Sequence, residues 1–295
     1  MVARAGMTLP RRFQMRCVRM AVPQLRGPAM AETYAPRYGI RDRLARQYCA
    51  ARVVSPIMQN PSEFLLTFSF DDAPISSVEN GAALLERRGW CGTWHIATGL
   101  LGRDGISGRC LDAGMVRDLA ERHEIALHGH CHGAMSAMPL QVALDDFYQN
   151  REELGQILGH APSQHLAYPY GITSLRLKRA LQGQVLSARG AMTGVNRAGS
   201  DRMQLAACDL NPNPLWIQRA LKAMRHASRH GGWVILFTHD VSNDPSPFGI
   251  NPAALDSLMD QAQELGARVL PTGQAWQRLT RMVGLQTGVK HPSTV

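Results

Sequence analysis

The sequence predicts an α/β protein, a single domain folded as a distorted (β/α)7–8 barrel. Three observations carry this expectation. From residue 64 onward, short β-rich runs alternate with helix-like stretches. No Pro/Gly-rich linker long enough to divide the series interrupts it. Finally, residue types that do chemistry recur just after four separate β-rich runs, where parallel β/α barrels place their functional groups.

The elements follow in order. Phe64-Leu-Leu-Thr-Phe-Ser-Phe70 is a buried-strand run bounded by Pro61-Ser62 and by Asp71-Asp72. Residues 77–88 read as a helix with Val78, Ala82 and Leu85 on one face, and Cys91–Ala97 as the second strand. Asp112 is an N-cap for a helix over 112–122. Glu124 to His128 is a strand ending at three alternate histidines, His128, His130 and His132. A long helix over 140–158 precedes a strand at 164–168 that stops at Pro169-Tyr170-Gly171. Further strands are expected at 184–188, 204–208, 233–238 and 268–270, with helices near 215–229, 253–265 and 272–282.

Composition narrows the function classes. The formal charge of +9 resembles a nucleic-acid signal, but its distribution removes it. Residues 1–52 hold eleven basic and two acidic residues, and the remainder carries 21 of each. No nucleic-acid partner is therefore expected for the main domain. The division predicted is a basic N-terminal extension at 1–52, partly disordered, with Met30 as a plausible later start, then a catalytic domain at 53–285 and a tail at 286–295. Arg16 and Arg19 interrupt every candidate secretory core, and no run approaches the 18 apolar residues of a membrane span. Six cysteines without a CxxC motif suit a reducing compartment, so a cytoplasmic location is expected. Oligomeric state is left open.

Taken one at a time, the strand-end groups have ordinary readings. An Asp-Asp pair commonly serves as a turn or helix cap, Pro-Tyr-Gly is a turn sequence, and a lone His239 is commonly structural. The His128–His132 cluster is the strongest single metal signal, since imidazole suits several divalent ions. Four such groups converging on one rim outweigh any one of them.

Together these segments resemble the polysaccharide deacetylase family, also called carbohydrate esterase family 4 or the NodB homology domain, over roughly residues 62–275. The resemblance rests on Ser69-Phe-Asp-Asp72, on Glu124-Ile-Ala-Leu-His128-Gly-His-Cys-His132, on Ala167-Tyr-Pro-Tyr-Gly171 and on Ile235-Leu-Phe-Thr-His239. It implies a distorted barrel of the NodB-like type with Asp72, His128 and His132 as ligands of one divalent metal. That metal is expected to be Zn²⁺, with Co²⁺, Fe²⁺, Mn²⁺ or Ni²⁺ as substitutes. It also implies Asp71 as general base, His239 as general acid, and the Tyr170 backbone N–H facing a developing oxyanion. His130 is expected to point elsewhere as a hydrogen-bonded loop residue.

The implied reaction is hydrolysis of the acetamide of an N-acetylated amino sugar or glycan, releasing acetate and a free amine. Alternatives are a metal-dependent amidase acting on a non-carbohydrate amide, cyclic imide or ureide, and a non-catalytic carbohydrate-binding relative. Expected partners are thus a carbohydrate or a small amide. The sequence departs from the family pattern in three places. Ala167 stands where the family often has an Arg that steadies the catalytic Asp, with Arg189 as a possible substitute. Gly129 replaces a Ser/Thr. Cys208-Asp209-Leu210 matches the fourth motif only loosely.

Overall fold

The computed structural model describes residues 34–36 and 38–281. The described residues include ten strands and eight α-helices, with one π-helical stretch and two short 3-10 turns. Helix α1 (Ile40–Ala51) precedes β1 (Phe64–Asp71), and a π-helical stretch Ser77–Ala82 continues as α2 (Ala83–Glu86). β2 (Thr93–Ile96), the hairpin β3 (Asp104–Gly105) and β4 (Gly108–Arg109), α3 (Ala113–Ala120) and β5 (Glu124–Leu127) follow. Next come α4 (Leu140–Leu158), β6 (Ser163–Ala167), α5 (Leu175–Leu181), β7 (Ser187–Arg189) and β8 (Cys208–Asp209). The last elements are α6 (Pro214–His230), β9 (Gly232–Thr238), α7 (Pro252–Glu264), β10 (Arg268–Val269) and α8 (Thr272–Arg281).

Every strand pairing except the β3–β4 hairpin is parallel, in the order β7-β6-β5-β2-β1-β9-β8. β10 pairs with the first half of β1 (Leu65 with Arg268) and β2 with its second half (Asp71 with His95). The segment 205–209 joins the ends of the sheet: Leu205 bridges to Arg189 of β7, and Cys208–Asp209 pair with Leu236–Phe237 of β9. The expected distorted barrel is therefore present, and its closure depends on this short segment.

Strand parity explains both the core and the site. In β1 the side chains of Phe64, Leu66, Phe68 and Phe70 join the large cluster beneath the helices, while Leu65 joins a smaller interior cluster with Trp233, Ile235 and Phe237. Successive residues of a strand point to opposite faces, so Thr67, Ser69 and Asp71 share the interior face with Leu65. The interior thus changes from apolar to polar along β1. Thr67 Oγ1 accepts from the Trp233 indole N–H at 3.0 Å, and Ser69 Oγ lies 3.1 Å from His95 Nδ1. β9 repeats the pattern: Trp233, Ile235 and Phe237 share one face, and the same parity carries on to His239.

The sequence-predicted helix at 77–88 is π-helical in its first half. It widens where Gly81 packs on Phe70: a Cβ at Gly81 would sit 2.8 Å from that ring. Asp112 caps α3 as expected, accepting from Met115 N–H at 2.9 Å. Within the segment read as an extension, residues 40–51 form α1, whose Cys49 is buried. Lys178, fully buried, donates to the carbonyls of Cys49 (2.9 Å) and Arg52 (2.7 Å) and pairs with Asp201 at 2.9 Å. Met30 and the tail at 286–295 lie outside the described residues. Among the described residues no helix is long and apolar enough to cross a membrane.

Candidate metal centre and active site

The interior polar residues and the loops after β1, β5, β6 and β9 surround a cleft of about 220 Å³. Asp71, Asp72, His128, His132, Tyr170 and His239 all line it, so every site residue expected from sequence reaches one place. His130 does not. Its Nδ1 lies 2.8 Å from Glu153 Oε2 and 3.0 Å from Thr98 Oγ1, facing α4.

Asp72, His128 and His132 each offer one ligand atom, and these atoms lie within 4.8 Å of one another. His132 Nε2 is 3.1 Å and His128 Nε2 is 3.4 Å from Asp72 Oδ1. Asp72 Oδ1 is buried and accepts no hydrogen bond from the described residues. A buried carboxylate oxygen without a donor is costly, and a cation between it and the two imidazoles removes that cost. His128 Nδ1 lies 2.7 Å from the Ala167 carbonyl, which fixes the proton on Nδ1 and leaves the Nε2 lone pair toward Asp72. Burial lowers the His128 pKa, which favours the neutral, ligating form. The donor set therefore fits one divalent cation with open positions for further ligands.

The histidine loop is irregular, not helical, and α4 holds it. Asp146, buried on α4, accepts from the N–H groups of His130 (3.0 Å) and Cys131 (2.8 Å). Asn150, one turn further, accepts from His128 N–H at 3.0 Å and donates to the Ile96 carbonyl at 2.9 Å. The Asp146 carboxylate also accounts for Gly129. A Cβ there would lie 2.7 Å from Asp146 Oδ2, and φ is +75°. Positive φ also occurs at Asp72 (60°), Ala73 (52°), His132 (54°) and Tyr170 (60°), the non-glycine residues with such angles among those described. All four sit in the loops that form this site, as strained residues at functional sites commonly do.

Asp71 is buried beside Asp72 and ion-paired with Arg189 through Oδ1 and Nη2. Burial opposes its charge, but the Arg189 guanidinium and the nearby His128, His95 and His239 hold its pKa well below the usual carboxylate range. Arg189 pairs in register with Ala167, so an arginine on the neighbouring strand reaches Asp71 although position 167 has no side chain able to do so. It stacks 4.7 Å over the Phe237 ring and donates to Ser69 Oγ at 3.2 Å. His95 Nδ1 lies 3.7 Å from Asp71 Oδ1, and burial keeps its pKa well below the ordinary histidine value.

His239 Nε2 lies 3.9 Å from Asp72 Oδ2, across the cleft from the histidine loop. Its Nδ1 lies 3.3 Å from the Phe248 carbonyl, which places the proton on Nδ1 and turns Nε2 toward the cleft. Asp209, also lining the cleft, has its pKa raised by burial, with Asn211 donating to it at 2.8 Å. Ser69, His95, Asp146 and Asn150 were not found from sequence. The signal was available as isolated polar residues at buried parity: in β1 and β2 on the interior face, and in α4 on the face of Ala143, Phe147 and Leu154.

A family model described as Polysaccharide deacetylase matches residues 59–184. No curated protein matches the chain. Among solved structures the fold is similar to a BA3943 mutant, a CE4 family pseudoenzyme with restored enzymatic activity. That similarity has a TM-score of 0.53 at 14% identity, covering 82% of this chain and 75% of that one. It is also similar to the catalytic domain of a peptidoglycan N-acetylglucosamine deacetylase from Eubacterium rectale (TM-score 0.52, 16% identity, 76% and 94% covered). A third is a family 4 acetyl xylan esterase from Clostridium thermocellum in complex with a cobalt ion (TM-score 0.50, 20% identity, 72% and 90% covered). At these identities the structures speak for the fold. The family match runs from just before β1 to just past α5, so this part of the chain is similar to the polysaccharide deacetylase family.

Proposed function

We propose that this protein is a metal-dependent hydrolase that removes acetyl groups from N-acetylated amino sugars, cleaving a C–N amide bond to release acetate. The observation that carries the reading is the buried, unpartnered Asp72 Oδ1 between the Nε2 atoms of His128 and His132. Those three residues would hold the cation, with Zn²⁺ suited to two imidazoles and a carboxylate. When bound, it supplies a Lewis acid for the acyl carbonyl and acidifies a water near neutral pH.

The remaining roles belong to the protein. Asp71 accepts the proton of the attacking water. A carboxylate held far below its usual pKa stays ionised at physiological pH but is a weak acceptor, which matches a water that is itself acidified. His239, with Nδ1–H on the Phe248 carbonyl, presents Nε2 to the cleft, and in its imidazolium form it gives the Nε2 proton to the departing nitrogen, a step an amide requires because an amine anion leaves poorly. The Tyr170 N–H donates to the developing oxyanion. The non-catalytic alternative gains no support, since a binding relative has no use for a buried, ion-paired Asp71.

The test is acetate release by metal-reconstituted protein over chitooligosaccharides, peptidoglycan fragments and small amides including cyclic imides. Acetate from an amino-sugar substrate supports the proposal. Turnover confined to the small amides or imides moves the function to the amidase alternative.

A further inference from the structure

α1 turns its large apolar side chains away from the protein. Ile40, Leu44 and Tyr48, spaced four apart, are 80%, 59% and 55% exposed, whereas Cys49 on the opposite face is buried. At about 3.6 residues per turn they form one continuous stripe. Among the described residues fourteen large apolar or aromatic side chains are exposed, and six of them lie between Tyr38 and Met58. Exposed apolar residues scattered singly are ordinary, but a stripe along one helix marks an interaction surface.

Positive charge borders the stripe on both sides. Around the helix Arg41 and Arg52 fall along one edge and Arg43 along the other, all three exposed. Arg52 holds its guanidinium 4.9 Å from the Tyr48 ring centroid. Asp42, the one acid of α1, lies on the opposite side, where its carboxylate accepts from Gly39 N–H at 3.1 Å. The inner face is held to the body by Lys178, which donates to the carbonyls of Cys49 and Arg52, so the stripe is presented outward on an anchored helix.

This combination selects among partners. Two copies docked helix to helix would bring arginines against arginines, because both edges of the stripe carry them. A nucleic acid would take the arginines and leave Ile40 and Leu44 in water. A bilayer containing anionic phospholipid takes both. Apolar side chains enter the boundary between headgroups and acyl chains, and the flanking guanidiniums meet the phosphates. Tyr48, with an apolar ring and a polar hydroxyl, suits that boundary. The charge of the chain agrees: residues 1–52 hold eleven basic residues against two acidic, and the rest is balanced.

We propose that α1 docks this protein on the surface of a bilayer containing anionic phospholipid. The helix lies parallel to the surface, with Ile40, Leu44 and Tyr48 inserted and Arg41, Arg43 and Arg52 on the headgroup phosphates. Tyr38, two residues before the stripe, lines the catalytic cleft, so the docked protein holds the cleft mouth beside the bilayer. The proposal is independent of the reaction carried out in that cleft.

The test is sedimentation of the full-length protein with vesicles of equimolar phosphatidylglycerol and phosphatidylcholine, and with vesicles of phosphatidylcholine alone. Wild type should bind the anionic vesicles about 10²-fold tighter, at roughly fivefold for each of three arginines. Arg41→Gln/Arg43→Gln/Arg52→Gln should lose most of that preference. Ile40→Ser/Leu44→Ser should weaken binding to the anionic vesicles by about tenfold or more. That arm separates insertion of the stripe from attraction by the basic residues that precede it. Binding that the double serine variant leaves unchanged overturns the proposal, as does no binding by wild type. Dimerisation abolished by the same variant, without vesicle binding, also overturns it and assigns the stripe to a second copy. If the double variant does not fold, Leu44→Trp decides. Its added indole fluorescence should be quenched by brominated lipid in the anionic vesicles, and an unquenched increment overturns the proposal.

Discussion

Asp71 and Asp72 are adjacent, yet their surroundings separate their roles. Asp71 is enclosed by Arg189 and His95, whereas Asp72 turns through a positive φ toward two imidazoles. Asp71→Asn is therefore expected to retain the metal but lower turnover by roughly 10²–10⁴-fold. Asp72→Ala, His128→Ala and His132→Ala should each lose most of the metal, while His130→Ala keeps it, as elemental analysis of protein purified without chelator can establish. Arg189→Met should destabilise metal-free protein by about 3–5 kcal/mol at pH 7, because it leaves a buried charge without its partner. The pH dependence has a definite sign. The folded pKa of Asp71 is depressed, so its stabilising contribution is complete above the unfolded value of about 3.9 and is lost as pH falls below it. Urea midpoints of wild type and Arg189→Met should accordingly converge on acidification below about pH 4. For His239→Ala, hydrolysis of an amide should fall far more than that of an acetate ester with a good phenolate leaving group. Equal losses on the two substrates would assign His239 a structural or binding role.

At the scale of elements, the histidine loop depends on α4. Without Asp146 the His130 and Cys131 N–H groups lose their acceptors, so Asp146→Ala should weaken metal binding by about 10–100-fold, as loss of ligand-supporting groups commonly does. A competitive chelator titration would measure this, and unchanged affinity would mean the loop is held by packing alone. Much of this level was legible in the sequence. β1, β5, β6 and β9 were visible as apolar runs, and the groups just beyond them marked the rim. Ser69 and His95 were obscured because which face of a strand is interior depends on barrel closure, a non-local property. Position 167 shows the limit clearly: its missing arginine and Arg189 as a substitute were both apparent, but only the Ala167–Arg189 register and the Arg189–Asp71 pair show the neighbouring strand supplying one.

For the molecule as a whole, the least legible part was the start of the fold. α1 has a weak apolar face, with Cys49 its one buried residue, and local pattern gave no reason to place it in the body. Its attachment comes from Lys178, more than 120 residues away, and from Asp201, which also accepts from the N–H groups of Val54 and Ser55 at 3.0 Å. Lys178→Met should therefore cost about 3–5 kcal/mol in urea unfolding. Removing residues 1–52 should also lower the unfolding midpoint, whereas removing only residues 1–33 tests the segment beyond the described structure separately. The central claim, that one cation held by Asp72, His128 and His132 supports amide hydrolysis, has a direct test. Zinc is titrated into chelator-stripped protein while acetate release from chitotetraose is followed. Activity should rise from near zero to a plateau at one equivalent per chain, and His132→Ala should show no comparable rise. Full activity in the stripped protein, or a plateau that His132→Ala also reaches at one equivalent, would contradict it.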